Sequence, residues 1–210
     1  MITIHTILIG QPQSITDETG TWQSSIFRQP VTGPVALGLR GLEGDKVTDK
    51  KHHGSADQAV CCHALAHYDY WNQVYSTTTF GPGSVGENWT LAEADETEIY
   101  IGDIYTVGSA RVQVSGPRMP CTKQNRKLKL ADFQKHTLEA LRTGFYLRVL
   151  TPGLVAAGND WQLEARPPVT ASLHTVNACA YQAFDPLVAQ QLVNMPALAP
   201  PWVRFFRRKL

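Results

Sequence analysis

Residues 98–115 run as three short stretches rich in β-branched and aromatic side chains, Glu98-Ile99-Tyr100-Ile101, Ile104-Tyr105-Thr106-Val107 and Arg111-Val112-Gln113-Val114-Ser115, parted by Gly102-Asp103 and Gly108-Ser109. Period-two alternation broken by two-residue turns reads as an antiparallel meander rather than a helix. The last run puts its valines on one face and delivers the chain into residues 116–126, GPRMPCTKQNR. Pro117 and Pro120 remove two backbone donors and stiffen this connection, so the thiol of Cys121 is presented at a fixed place. Arg118, Lys123 and Arg126 put three cations within nine residues around it. Nearby positive charge favours the thiolate, the form that acts as nucleophile and as soft-metal ligand. The same position also suits a small buried hydrophobe at a strand end, and the residues alone leave both readings open.

The rest of the chain is assigned by the same rules. Residues 2–9 and the apolar Ala59-Val60-Cys61-Cys62 read as buried strands, Val35, Leu37 and Leu39 alternate, and residues 145–150 and 161–164 read as closing strands. Leu65, Tyr68, Trp71 and Val74/Tyr75 recur at helical spacing over residues 64–75, as do Leu130, Phe133, Leu138 and Leu141 over residues 130–142, a helix that Gly144 should stop. Pro167-Pro168 marks a boundary. Beyond it the β pattern is gone, and three short helices are expected at about residues 174–184, 186–193 and 201–208, with Asp185-Pro186 and Ala199-Pro200-Pro201 as starts. The fold class is therefore mainly β over residues 1–166, with a small three-helix segment over residues 167–210. A tail of about 40 residues buries little alone, so it should lean on the β part or on a partner subunit, dispensable for the first but needed for solubility or assembly.

Composition restricts the partners. A net charge of +1 over 210 residues gives no global attraction to nucleic acid polymers or acidic membranes, so any anion site must be local. No apolar run reaches the ~18 residues of a membrane span, Met1-Ile2-Thr3-Ile4 begins directly as a strand, and the four cysteines lack a disulfide framework's density, so the cytoplasm is expected. Four polar spots could carry chemistry. Residues 49–58, DKKHHGSADQ, hold His53-Gly54, a turn with an imidazole suited to protonating a leaving group. Arg28 stands in WQSSIFRQP, and Glu87-Asn88 pairs an acceptor with an amide. His52, His53, Cys61, Cys62, His63 and His67 offer zinc ligands, a reading weakened by the lack of any CxxC pair and by the helix that His63 and His67 open. No Rossmann or Walker loop and no iron–sulfur cysteine spacing is present.

The ordered set GLEGDKVTDKKHHGSADQAV, VGENWT and GDIYTVGSARVQVSGPRMPCTKQ resembles the MOSC family, domains related to the C-terminal part of molybdenum-cofactor sulfurases, and within it the stand-alone bacterial YiiM-type members. The likeness covers roughly residues 1–165, and the tail is similar to the three-helix extension of those members. The resemblance implies a closed, β-barrel-like domain that binds a molybdenum cofactor of the molybdopterin type. It implies Cys121 as metal ligand, with His53 and Asp57 beside it in catalysis, and Arg28, Gly54, Glu87, Asn88, Arg118 and Lys123 as cofactor-binding residues. The activity it implies is reduction of N-hydroxylated compounds, such as N-hydroxylated purine bases, with electrons from a separate flavin or iron–sulfur reductase. The alternative is a carrier that holds the cofactor, or a persulfide, on Cys121. A homodimer is compatible with either. The chain departs from the family pattern at Ser55, where most relatives have glycine and a restricted turn is expected, and at Trp89, which is expected to narrow the pocket.

Overall fold

The computed structural model describes residues 1–49 and 53–210. The chain runs β1 (Thr3–Ile9), β2 (Gln13–Asp17), β3 (Gly20–Ser24), β4 (Gln29–Pro30), β5 (Val35–Gly38), β6 (Gly41–Leu42), a 3-10 turn (Ala56–Gln58), β7 (Val60–Ala64), α1 (Leu65–Val74), β8 (Trp89–Ala92), β9 (Ile104–Val107) and β10 (Ala110–Pro117). It continues as α2 (Lys123–Leu128), α3 (Phe133–Glu139), β11 (Phe145–Thr151), β12 (Gly153–Val155), β13 (Trp161–Ala165), α4 (Leu173–Tyr181), α5 (Pro186–Val193) and α6 (Pro200–Arg207).

Eight strands form one sheet in the order β13-β9-β10-β11-β7-β8-β1-β4, antiparallel except for the parallel pair β7 and β8. The sheet curls until its far sides meet. The Ile4 N–H donates to Asn159 O at 3.0 Å and the Trp161 N–H to Ile2 O at 2.9 Å, which joins β1 to the start of β13 and makes the sheet barrel-like. Alternation explains what each strand faces. In β10, Val112 and Val114 are fully buried, and in β11, Phe145, Leu147 and Val149 enter the core while Tyr146 and Arg148 point the other way. All five residues of β7 are buried, because elements cover both its faces. Tyr68 and Trp71 of α1 pack with Phe80, Val85 and Phe133 in a separate aromatic cluster, while Val74, at the last turn, is exposed.

Local polar bonds account for the differences from expectation. Residues 98–101 are a turn, bridged to the rest only at Tyr100–Ser172. Asp95 caps Thr97 through both its N–H and its hydroxyl, and Asp103 Oδ2 accepts the Tyr100 N–H at 3.1 Å, so side-chain acceptors displace the ladder. The last four residues of the expected loop at 116–126 are helix, since α2 begins two residues after Cys121. Helix α3 is shorter than its apolar spacing suggests and ends before Leu141, whose φ of 53° breaks the helix ahead of Gly144. The hairpin of β2 and β3 escapes the sequence pattern because only Ile15 and Trp22, paired opposite each other, are apolar in it.

The three C-terminal helices form as expected. Asp185 Oδ1 caps α5, accepting from Leu187 and Val188 N–H at 2.8 and 3.3 Å. One apolar core runs from the sheet (Val112, Phe145, Leu147) into these helices (Val176, Leu192, Trp202, Phe206). Three bonds hold the start of α6 against the end of β10 and the outer face of β11: Ala199 N–H to Ser115 O, Trp202 Nε1 to Pro117 O and Arg148 Nη2 to Ala197 O, each 2.8 Å. Among the described residues no helix is long and apolar enough to cross a membrane.

Candidate functional site

The end of β10 sets the position of Cys121. Gly116, at φ +151°, lies so close to α6 that an added Cβ would sit 2.9 Å from Trp202 Cδ1, which only glycine permits. The Arg118 N–H then donates to Gly144 O at 2.9 Å, turning the chain, and Gln134 Nε2 holds Pro120 O at 2.8 Å. Cys121 follows, half-buried, and its carbonyl accepts the Gln124 N–H at 3.0 Å as α2 begins. The thiol is thus fixed by bonds on both sides, as the two prolines imply.

Cys121 stands where two cavities share a wall. The first, about 380 Å³, takes Arg28, Gly54, Asn88, Arg118 and Cys61 into its lining, the second, about 450 Å³, takes Asp57, Pro117, Met119, Pro201 and Arg204, and both include His53, Cys121, Lys123 and Tyr146. Seven of the nine candidates read from the sequence therefore meet in the first cavity, and Asp57 joins them in the second.

Their availability differs. Arg118 is buried, and its only side-chain hydrogen bond among the described residues is Nη1 to Val85 O at 2.9 Å, so most of its side-chain donors are uncommitted. Lys123 makes no side-chain hydrogen bond or ion pair to a described residue. Arg28 is engaged already: Nε and Nη2 grip Asp45 at 3.0 and 2.9 Å and Nη1 reaches Gly86 O at 2.6 Å, a bidentate fork that ties β6's loop to the wall. The Asn88 amide lines the cavity but holds the framework, accepting from Cys61 N–H at 3.1 Å and donating to Leu8 O at 3.3 Å. Asp57 is paired with Arg148 at 2.8 Å.

Several expectations need correction. Glu87 reaches neither cavity. It is fully buried, and its Oε1 accepts from Tyr68 Oη, from Gly83 N–H and from Thr90 Oγ1, so it holds the wall rather than a ligand. Arg126 turns away from Cys121, pairing with Asp17 at 2.7 Å and stacking over Trp22, and its guanidinium holds the Asp17 carboxyl well below the usual carboxylate range. Trp89 does not narrow the pocket, since it is fully buried and packs edge-on against Trp161. Ser55 adopts φ −68° and ψ 158°, extended backbone that any residue accepts, so it restricts nothing. Of the zinc candidates, His52 lies outside the described residues, as do Lys50 and Lys51 of the charged run. His63 and His67 are buried side by side, and among the described residues no group of three or more His, Cys, Asp or Glu could hold a metal ion.

Tyr146 escaped the sequence reading, and Cys61 entered it only as a candidate zinc ligand. Burial, with Cys61 and Cys121 adding, pushes the Tyr146 phenol above its ordinary range, so it stays a donor, and its hydroxyl has no partner among the described residues. Its signal was in the alternation of Phe145, Tyr146 and Leu147: if the first and third fill the core, the second must face the opposite side. Cys61 is buried, and desolvation outweighs Arg118 and Arg28 to push its thiol up, which leaves it neutral.

The chain and its fold have counterparts in known proteins. The family model of the MOSC domain matches residues 49–162, more than half of the chain and the segment from the His53 loop to β13. The chain belongs to the MOSC domain family. YflK of Bacillus subtilis, itself uncharacterized, is 31% identical over 96% of this chain and 91% of its own length, and YiiM of Escherichia coli is 30% identical over 89% and 84%. Among solved structures, YiiM from Geobacillus stearothermophilus superposes with a TM-score of 0.84 at 33% identity over the whole of both chains. This MOSC chain also matches 27% of the length of a longer Gibberella moniliformis protein named a reductase, at 32% identity.

Proposed function

We propose that this MOSC protein binds a molybdenum cofactor in the first cavity, with Cys121 as its thiolate ligand, and reduces N-hydroxylated compounds with electrons from a separate flavin or iron–sulfur protein. The observation that carries the reading is a half-buried, fixed thiol facing a cavity in which the buried Arg118 guanidinium and the Lys123 ammonium keep uncommitted donors. These residues fit the group. A thiolate is the soft ligand that a molybdenum centre accepts, and buried cationic donors match phosphate and dithiolene charge. The likeness to a longer protein named a reductase supports the redox reading, and the lack of nucleotide, flavin and iron–sulfur motifs calls for a separate electron donor.

When bound, the cofactor would supply the two electrons that cleave the N–O bond: R–NHOH with two electrons and two protons gives R–NH2 and water. The chain's own residues supply position and protons. Arg118 and Lys123 hold the cofactor's anionic groups; Arg28 and Asp45 keep the cavity wall rigid without touching them. Tyr146 Oη, kept protonated by burial, donates a hydrogen bond to the departing oxygen. His53, on the wall shared by both cavities, is the imidazole that can relay a proton near neutrality.

Full-length protein produced in a host that makes the cofactor tests the reading directly. Molybdenum and pterin in equal, near-stoichiometric amounts support it. A sulfur adduct on Cys121 without molybdenum would overturn it in favour of a persulfide carrier.

A further inference from the structure

The hairpin of β2 and β3 stands apart from the rest of the fold. Its strands pair only with each other, outside the curled sheet, and an isolated two-stranded hairpin is marginally stable in water. Of residues 13–23, only Ile15, Asp17 and Trp22 are even partly buried. Its two stems, by contrast, are fastened beside the first cavity. The Gly10 N–H donates to Asp45 Oδ1 at 2.7 Å, the Ser25 and Thr48 hydroxyls are bonded at 2.7 Å, and Ser24 and Ser25 belong to the cavity lining.

One side chain holds the free end. Arg126 grips Asp17 through Nε at 3.0 Å and Nη2 at 2.7 Å, Nη2 also reaches Gly20 O at 3.3 Å, and the guanidinium lies 4.5 Å from the centre of the Trp22 ring. Among the described residues no other hydrogen bond ties residues 13–23 to anything beyond the hairpin. Arg126 lies three residues beyond Lys123 on α2, so the side of that helix that gives Lys123 to the cavity also gives Arg126 to the hairpin. The hairpin therefore bridges from the Ser24 side of the cavity to the Lys123 side. With the Arg126 and Asp17 side chains 31% and 27% exposed, this single link is of the kind that opens locally without unfolding the core.

We infer that the β2–β3 hairpin is a hinged flap on the flank of the first cavity between Ser24 and Lys123, and that Arg126 is its latch. Released, the flap swings about its two stems and opens a way past Ser24 towards Arg118 and Cys121. The inference concerns entry to the cavity and holds whatever anion fills it. Cys61 reports on the flap. It lines the first cavity and not the second, because it pairs with Tyr146 across β7 and β11 and shares that side chain's face, whereas its neighbour Cys62 pairs with Phe145 and faces the core. Cys61 is only 4% exposed, so a reagent reaches it when the cavity opens.

Alkylation by iodoacetamide tests this on the full-length protein, in a Cys121→Ser background so that a modified Cys121 does not fill the cavity, with each site followed by peptide mass. Arg126→Ala, which removes both the ion pair and the stack on Trp22, should speed Cys61 at least about five-fold, and Asp17→Asn, which removes the ion pair alone, about three-fold. Cys62 and Cys179 should stay within about two-fold in both variants. The two substitutions change charge in opposite senses, so an altered thiol ionisation cannot raise both rates. The inference is overturned if neither variant speeds Cys61, or if Cys62 and Cys179 speed up in step with it, which is loosening of the whole fold. Should Arg126→Ala not fold, Asp17→Asn decides alone. Because the labelling requires no loaded cofactor, a protein devoid of molybdenum would refute the proposed function and leave this result standing, and the reverse holds equally.

Discussion

Replacing Glu96 with glutamine should stabilise the protein in alkaline solution and leave it nearly unchanged below about pH 4.5. The Glu96 carboxyl is buried beside two buried histidines. It accepts the Gly144 N–H at 2.9 Å through Oε1, its Oε2 has no partner, and His67 Nδ1 stands 3.7 Å away. That contact is not an ion pair near neutrality. Burial pushes Glu96 up to about 8, partly offset by the Gly144 N–H and Arg142, and burial with His63 beside it holds His67 well below its ordinary value. Burial also lowers His63 to about 3. The native state therefore keeps a proton on Glu96 that the unfolded chain releases near 4.5, so the stability this group provides is complete below that pH and is lost as pH rises towards about 8. The histidines work in the other direction, since the unfolded chain takes up protons below about 6.5 that the native state refuses, so their contribution falls as pH drops from there towards about 3. Together they place the cluster's best pH near 6.5. At about 1.4 kcal/mol per pKa unit, the Glu96 shift caps the alkaline penalty at about 5 kcal/mol, and because water enters around a buried carboxylate on ionisation, about 2 kcal/mol is expected. Urea unfolding of parent and Glu96→Gln at pH 4.5 and pH 9 measures it, the difference cancelling every other titration. Equal stability of the two proteins at pH 9, or a loss in the variant at both pH values, would refute the reasoning. The cluster matters to the site because Gly144, which Glu96 holds by its N–H, holds Arg118 by its carbonyl.

Four further outcomes follow from the geometry. Arg28→Ala should cost about 2 kcal/mol in urea unfolding, because it leaves the part-buried Asp45 carboxylate without its ion pair and with only the Gly10 N–H on it, whereas Lys123→Ala should change stability by less than about 0.5 kcal/mol and yet weaken molybdate binding measured by calorimetry. Gly116→Ala should lower stability by about 2 kcal/mol by pushing on Trp202, with near-ultraviolet circular dichroism reporting the displaced indole. A chain ending at Arg166 should not fold as a compact domain, since it bares the core face that Val176, Leu192, Trp202 and Phe206 cover; 8-anilinonaphthalene-1-sulfonate binding and lost hydrogen-exchange protection in β10 check this.

The strands that line the site were legible because alternation survives in them: Val112 and Val114 in β10, and Phe145, Leu147 and Val149 in β11, bury as their spacing implies. The last two tail helices were legible from Asp185 and the prolines at their starts. Residues 98–101 misled because the Asp95 carbonyl takes the Glu98 and Ile99 N–H groups and the Asp103 carboxylate takes that of Tyr100. At the site, residue type and neighbourhood pointed to Cys121, Arg118, Lys123 and His53, and these do converge on the cavity wall. Spacing along the chain could not show which polar side chains were already paired. Glu87, Arg28 and Asn88 look like ligand contacts in sequence, yet their partners, Tyr68, Asp45 and Leu8, come from distant segments that only the closed sheet brings near. Nor could it show that the helical extension walls a second cavity at Cys121, because the bonds from Ala199 and Trp202 to β10 span more than 80 residues.

The central claim, that the Cys121 thiolate holds molybdenum, is tested most directly by the molybdenum and pterin content of full-length Cys121→Ser beside the parent, both purified from a cofactor-producing host. Serine is nearly isosteric and a half-buried position leaves no large cavity, so folding stability should stay within about 1 kcal/mol of the parent. Its neutral hydroxyl is a poor ligand for a soft centre, and molybdenum content should fall by at least about ten-fold. Serine at the buried Cys61, Cys62 and Cys179 should leave it intact in whatever fraction folds. A folded Cys121→Ser protein carrying the parent's full complement of molybdenum and pterin would contradict the account.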